Sequence, residues 1–223
     1  MAKKAMQLGL ILRVDDAQFR NAVVKLAHIP KGAQTAAIAA VNKTLAKVRT
    51  DTLDMVKDTY AIKRNRVIKS MTITKAHKGN FSGWLHTKSP VLPLTAFNYS
   101  VKESIAPQKT LTYIEQYDAV RRVRQKVYKI RVQVLRGKWK TLANAFMMKY
   151  KNANQYGITS GLKENIAWRE NEKRESAWPR WGPSVPVMVS QKKILPVIEM
   201  KAQAQLQKEM VRSIQMVIAR AKK

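Results

Sequence analysis

AQTAAIAAVNKTLAKVRTDTLDMVKDTY, running from Ala33 to Tyr60, is the stretch on which the fold turns. Ala37, Val41, Thr44, Val48, Met55 and Thr59 recur at spacings near three and four, the periodicity of a helix with one apolar face. The alanines at its start let a partner helix come close. At about 1.5 Å per residue such a helix is roughly 40 Å long, more than a small domain needs, so it is expected to form the backbone of the fold.

The partner lies at the far end of the chain. From about Ser190 to Lys223 the pattern is helical again, with Ile198, Ala202, Leu206, Met210, Ile214 and Val217 on one stripe, and Pro196 confines the regular helix start to its neighbourhood. Residues 8 to 14 read as a short strand, and Asp15 or Asp16 can cap a helix to about Ala27 before Pro30-Lys-Gly32 breaks it. Lys63, Arg64 and Arg66 open a short basic helix and are candidate contacts for an acidic partner or DNA, and Met71 to Lys75 reads as a strand. Gly79, Gly83, Pro90 and Pro93 mark a looped region anchored by Phe81 and Trp84. Tyr128, Ile130, Val132 and Val134 then alternate with Lys129, Arg131 and Gln133, giving a strand with one apolar and one cationic face. Arg136-Gly-Lys138 supplies a turn, from which Trp139 to Tyr150 can return as a hairpin partner. Residues 160 to 182 read as an irregular arm carrying Glu164, Glu170, Glu172 and Glu175 among Trp168, Trp178 and Trp181, and Gly182-Pro-Ser-Val-Pro186 closes it. The expected fold is α+β, one domain over residues 1–223: a small antiparallel sheet packed against two long helices, with extended loops or arms.

Charge narrows the function. The chain carries 43 Lys plus Arg against 14 Asp plus Glu, a formal net charge of +29, and has no acidic residue between Asp58 and Glu103 or between Asp118 and Glu164. Self-repulsion on that scale favours an anionic partner or a charge-complementary neighbour. Cysteine is absent, which removes disulfides, thiolate metal sites and thiol nucleophiles and suits a reducing compartment. The apolar run Leu8 to Leu12 is too short for a signal peptide and lacks a cleavage site, and no stretch approaches the roughly 18 apolar residues of a membrane span. No cofactor, membrane partner or catalytic set is therefore expected. His28, His77 and His86 show no metal-ligand spacing. Asp15-Asp16 could be a metal pair but reads more naturally as a helix cap. Asp51, Asp54 and Asp58 share a helix face and could chelate a divalent ion for nuclease chemistry, yet pairing with Lys47 and Lys57 is the simpler reading.

The basic blocks are more informative. Arg121, Arg122, Arg124, Lys126, Lys129 and Arg131, followed by Arg136, Lys138 and Lys140, resemble a phosphate-neutralising strand face without base readout; a solvated face, or one meeting an acidic subunit, is the alternative. Trp139, between Lys138 and Lys140, could stack on bases or anchor the strand.

Several segments, in order and spelling, resemble the prophage minor tail protein Z family. They are Ala-Ala-Val-Asn-Lys43 in the long helix, Tyr60-Ala-Ile-Lys-Arg-Asn-Arg66, the basic hairpin leading into Ala145-Phe-Met147, the turn Trp181-Gly-Pro-Ser-Val-Pro186 and the last amphipathic helix. The resemblance spans roughly residues 15 to 220, with the Gly-Pro-Ser-Val-Pro turn its most specific element. The segment from Thr95 to Val120 looks like an insertion, and the acidic, Trp-rich arm departs from the family's shorter basic strand. The resemblance implies a structural, non-enzymatic minor tail protein of a long-tailed bacteriophage, located in the virion at the head-proximal end of the tail. There it would complete the tail and help join the head. A homo-oligomeric ring, expected to be six-fold, would contact neighbouring tail or neck proteins and meet DNA in its lumen without sequence preference. Trp168, Trp178 and Trp181 would be interface anchors. The alternative function is a free basic nucleic-acid-binding protein of nucleoid or ribosome-associated type, which net charge favours and the acidic arm opposes.

Overall fold

A computed structural model describes residues 6–105, 126–143, 145–154, 157–169 and 177–222. In chain order the elements begin with β1 (Met6–Arg13), α1 (Asp16–Lys25), α2 (Gly32–Thr59), α3 (Arg64–Lys69), β2 (Met71–Thr74), β3 (Ser82–Ser89), β4 (Leu92–Pro93), a 3-10 turn at Leu94–Ala96 and β5 (Asn98–Ile105). They continue with β6 (Lys126–Gln133), β7 (Lys140–Leu142), β8 (Ala145–Asn154), β9 (Gly157–Arg169), β10 (Ala177–Pro179), β11 (Trp181–Gly182), α4 (Val185–Val189) and α5 (Leu195–Ala221). The class is α+β, with two long helices packed together and several small antiparallel sheets in place of the single expected one. The chain divides into two compact units: residues 1–59, 63–92 and 183–223 form the first, and residues 60–62 and 93–182 the second.

The first unit is built on α2 and α5. The long helix spans the expected residues, and Ala37, Val41, Thr44 and Val48 are buried as its periodicity requires. Past Val48 the stripe departs from the expected one. Thr52, Leu53 and Val56 are buried while Met55 is half-buried and Thr59 exposed, because contact positions drift around a 3.6-residue helix when the sequence steps by fours. The buried threonines satisfy their hydroxyls locally: Thr44 Oγ1 donates to the Ala40 carbonyl at 2.8 Å and Thr52 Oγ1 to that of Val48 at 2.7 Å. On α5, Ile198, Ala202, Leu206, Met210 and Ile214 are buried as expected, and Val217 is half-buried. The helix starts at Leu195, with Pro196 in its first turn.

The sheet of this unit has the order β1-β3-β2, so its central strand comes from the region expected to be looped. Gly83 explains both the expectation and its failure. A Cβ there would collide with Leu45 and Val41 of α2, so glycine lets the strand lie directly on the helix; it does not mark a turn. Phe81 is half-buried, its ring stacked on Phe19 with centroids 5.5 Å apart, and half-buried Trp84 stacks on His86 at 5.6 Å.

In the second unit, β5-β6-β7 and β8-β9-β10 form two three-stranded antiparallel sheets. Ile130, Val132, Ala145, Ile166 and Leu94 make its core, with Val134, Leu142 and Met147 packed against them. The expected hairpin return is divided: Lys140–Leu142 pairs with β6, whereas Ala145 onward pairs with β9. Two further expectations change form. Gly157–Arg169 is a strand, so the arm drawn over 160–182 is regular in its first part. Asn98–Ile105, within the supposed insertion, pairs with β6 along its whole length; residues 106–120 of that segment lie outside the described residues.

Candidate interaction surface of the second unit

The register of β6 separates its two faces. Lys129 stands opposite Lys102, and Arg131 lies between Ser100 and Thr141. Lys102, Lys129, Arg131 and Thr141 are all exposed, and no carboxylate occupies any of these positions. Like charges directly opposite on neighbouring strands are destabilising, so the Lys102–Lys129 pair costs stability in the isolated chain. Trp139 is 44% exposed and carries the Arg131 guanidinium over its ring, 5.6 Å from the centroid. One ring face is thus already occupied by a cation.

The opposite face of the same sheet is apolar, and near the hairpin it opens into a cleft of about 340 Å³. Leu94, Val132, Val134, Leu142 and Trp181 contribute apolar surface, and Lys138, Lys140 and Arg180 supply the charge. Lys140 belongs to this side because it stands opposite Val132. Arg180 is held in place from several directions. Its guanidinium lies 5.0 Å from the Trp168 ring centroid, its N–H donates to the Ile166 carbonyl at 2.8 Å, and its carbonyl accepts from Asn165 Nδ2 at 3.0 Å. Its buried Nε has no hydrogen-bond partner. Asn165 is fully buried and also accepts at Oδ1 from the backbone N–H groups of Leu94 at 3.0 Å and Ile166 at 2.8 Å. One amide therefore ties β9, the 3-10 turn and the Arg180 strand end together.

The cations singled out from the sequence are shared between the two units. Lys63, Arg64 and Arg66 are exposed at the start of α3 in the first unit, whereas Lys129, Arg131, Arg136, Lys138 and Lys140 are exposed in the second. Lys126 opens β6 with the register parity of Ile130. Arg121, Arg122 and Arg124 lie outside the described residues. Of the tryptophans, Trp168 is half-buried beneath Arg180, Trp178 is 58% exposed opposite it in register, and Trp181 is 36% exposed at the cleft. Sequence reading missed Arg180 and Asn165. The only local signal is Asn165 directly ahead of Ile-Ala-Trp168, and its partner Leu94 is too distant in sequence for spacing to reveal.

Asp15 precedes α1 with its backbone carbonyl accepting from Phe19 at 2.9 Å, and its side chain makes no capping hydrogen bond. Asp51 pairs with Lys47 at 2.7 Å, and that hydrogen bond, with the attraction of Asp51, raises the Lys47 pKa. Among the described residues no group of three or more His, Cys, Asp or Glu could hold a metal ion, and no helix is long and apolar enough to cross a membrane. Compared with protein-family models, curated proteins and solved structures, the chain matches none at a significant level.

Proposed function

We propose that this chain is a structural minor tail protein of a long-tailed phage, acting at the head-proximal end of the tail. Its cationic sheet face would dock against an acidic neighbouring ring or against luminal DNA. The observation that carries this reading is the opposed Lys102–Lys129 pair beside Arg131, on a face with no carboxylate at its described positions. A fold retains such repulsion at little cost when an anionic surface neutralises it in the assembled state. The proposed assembly is a cyclic homo-oligomer, six-fold in the first instance, since closed rings arise from head-to-tail contacts whose rotation closes.

Mass spectrometry of purified particles and electron microscopy of a Lys129→Glu, Arg131→Glu double variant test it. The protein should be present in tails, and the folded variant should yield tails that fail to join heads. Absence from particles, or normal virions from the variant, would overturn the reading. A nanomolar, sequence-selective DNA site near 0.15 M salt would instead favour a dedicated nucleic-acid binder, because non-specific phosphate contact gives only about micromolar or weaker affinity there.

A further inference from the structure

The cleft lies on the side of the sheet away from Lys129 and Arg131, and its chemistry is different. A duplex is bound by cations projecting from a broad surface. Here Lys138, Lys140 and Arg180 stand around an apolar floor of Leu94, Val132 and Leu142, in a space of about 340 Å³. That volume suits one or two bulky side chains and excludes a double helix, whose major groove alone is about 12 Å wide. The floor rewards apolar groups and the rim rewards carboxylates. The Arg180 guanidinium already lies over the Trp168 ring, and two hydrogen bonds fix the Arg180 main chain. A donor fixed in place before binding loses little freedom when an acceptor arrives, which is the arrangement of a recognition arginine.

We infer that this cleft is a socket for an acidic segment of a partner protein, one that inserts adjacent bulky apolar side chains while flanking carboxylates meet Lys138, Lys140 and Arg180. Charge complementarity identifies the occupant. The lining holds three cations and no carboxylate. A second copy of this chain, with 43 basic against 14 acidic residues, is a poor source of such a segment. Exposed Leu135 and Trp181 at the cleft extend the apolar surface available to the partner. The inference rests on the reading of the protein as one that docks acidic neighbours, and adds a second contact whose specificity comes from shape and apolar burial.

The probe is a fluorescein-labelled hexapeptide, Asp-Asp-Phe-Leu-Asp-Asp, with Asp-Asp-Ser-Ser-Asp-Asp as its counterpart, titrated by anisotropy against the full chain near 0.15 M salt. The Phe-Leu peptide should bind at least about tenfold more tightly than the Ser-Ser peptide. Lys138→Glu with Lys140→Glu, or Arg180→Gln alone, should weaken it by about tenfold or more, the scale expected when complementary charge at an interface is reversed or an oriented arginine is removed. Lys129→Glu with Arg131→Glu, on the other face, should change it less than about threefold because separated surface charges are screened at this salt. Circular dichroism confirms that each variant is folded. Equal binding of the two peptides, equal losses from the two sets of charge reversals, or no saturable binding would each overturn the socket. The failures are separable: absence from particles removes the tail reading whatever the peptide does, whereas a tail-resident protein that ignores the peptide removes only the socket.

Discussion

Both units leave apolar side chains in solvent, but of different kinds: the first exposes aliphatic ones, Met6, Ile11, Val24, Met200 and Val211 among them, whereas the well-exposed tryptophans lie in the second. In the first, α2 and α5 present long stripes that are almost wholly covered, from Ala36 and Val41 to Val56 on one helix and from Ile198 to Ile214 on the other. In the second, the core is a smaller set around Ile130 and Ile166, while Tyr99, Val101, Leu135, Trp139, Trp178 and Trp181 keep a third or more of their surface in solvent. A helix pair hides one stripe of each helix by periodicity, whereas a three-stranded antiparallel sheet packs one face on its core and can leave the other to solvent or a partner. Large aromatic side chains left uncovered beside cations mark a surface that meets a partner.

The largest expected effect breaks the first unit outright. Deleting residues 206–223 removes Leu206, Met210 and Ile214 from the contact with α2, and truncating Leu206 or Ile214 to Ala should cost about 2 to 5 kcal/mol each. The deletion should abolish cooperative melting by circular dichroism, while loss of 219–223, a charged end with little apolar surface, should not. Near-intact melting of the longer deletion would show that α5 is no part of the core.

Next comes the polar hub of the second unit. Asn165→Ala leaves the N–H groups of Leu94 and Ile166 and the carbonyl of Arg180 without their partner, and buried groups so stranded cost about 1 to 3 kcal/mol each. A total near 3 kcal/mol in urea unfolding is expected, with faster amide exchange in 93–182. An unchanged midpoint would mean that water replaces the amide.

A matched pair of glycines sharpens the comparison. A Cβ at Gly83 would strike Leu45 and Val41, and one at Gly182 would strike the fully buried Phe97. Each glycine-to-alanine change should destabilise by about 1 to 3 kcal/mol through overpacking. Hydrogen exchange should place the Gly83→Ala loss in the first unit and the Gly182→Ala loss in the second. If either change loosened both units equally, they would share one cooperative transition.

The smallest effect has the opposite sign. Lys129→Glu converts the repulsive pair with Lys102 into an attractive one and should stabilise the chain by about 0.2 to 1 kcal/mol, visible as a small rise in Tm at low salt that fades as salt increases. A fall in Tm would show that Lys129 is already neutralised within the chain.

Much of the first unit was legible because helical periodicity is local: Ala37, Val41, Thr44 and Val48, and Ile198 through Ile214, announce their buried faces within each helix. Lys129 and Arg131 were legible for the same reason, since alternation along one strand assigns each face. The pairing of Ala145–Asn154 with β9, and not with β6, depends on which strand is nearest in space. Gly83 was misread because a glycine required by a close helix and one required by a turn look alike in sequence. Arg180 and Asn165 could not be placed at all, since their roles arise from contact with Leu94 and Trp168.

The division of the chain also fixes an order of events during synthesis. Residues 93–182 form one continuous insertion between parts of the first unit, so α2 leaves the ribosome long before α5 exists. At about 5 to 20 residues per second, the apolar stripe of α2 waits on the order of ten seconds for its partner. During that interval the sheets of the second unit can close by themselves, while the nascent Ala36–Val56 stripe is a natural target for a chaperone. Slow codons or a pause placed between residues 60 and 194 would lengthen that vulnerable window without altering a single contact in the finished protein.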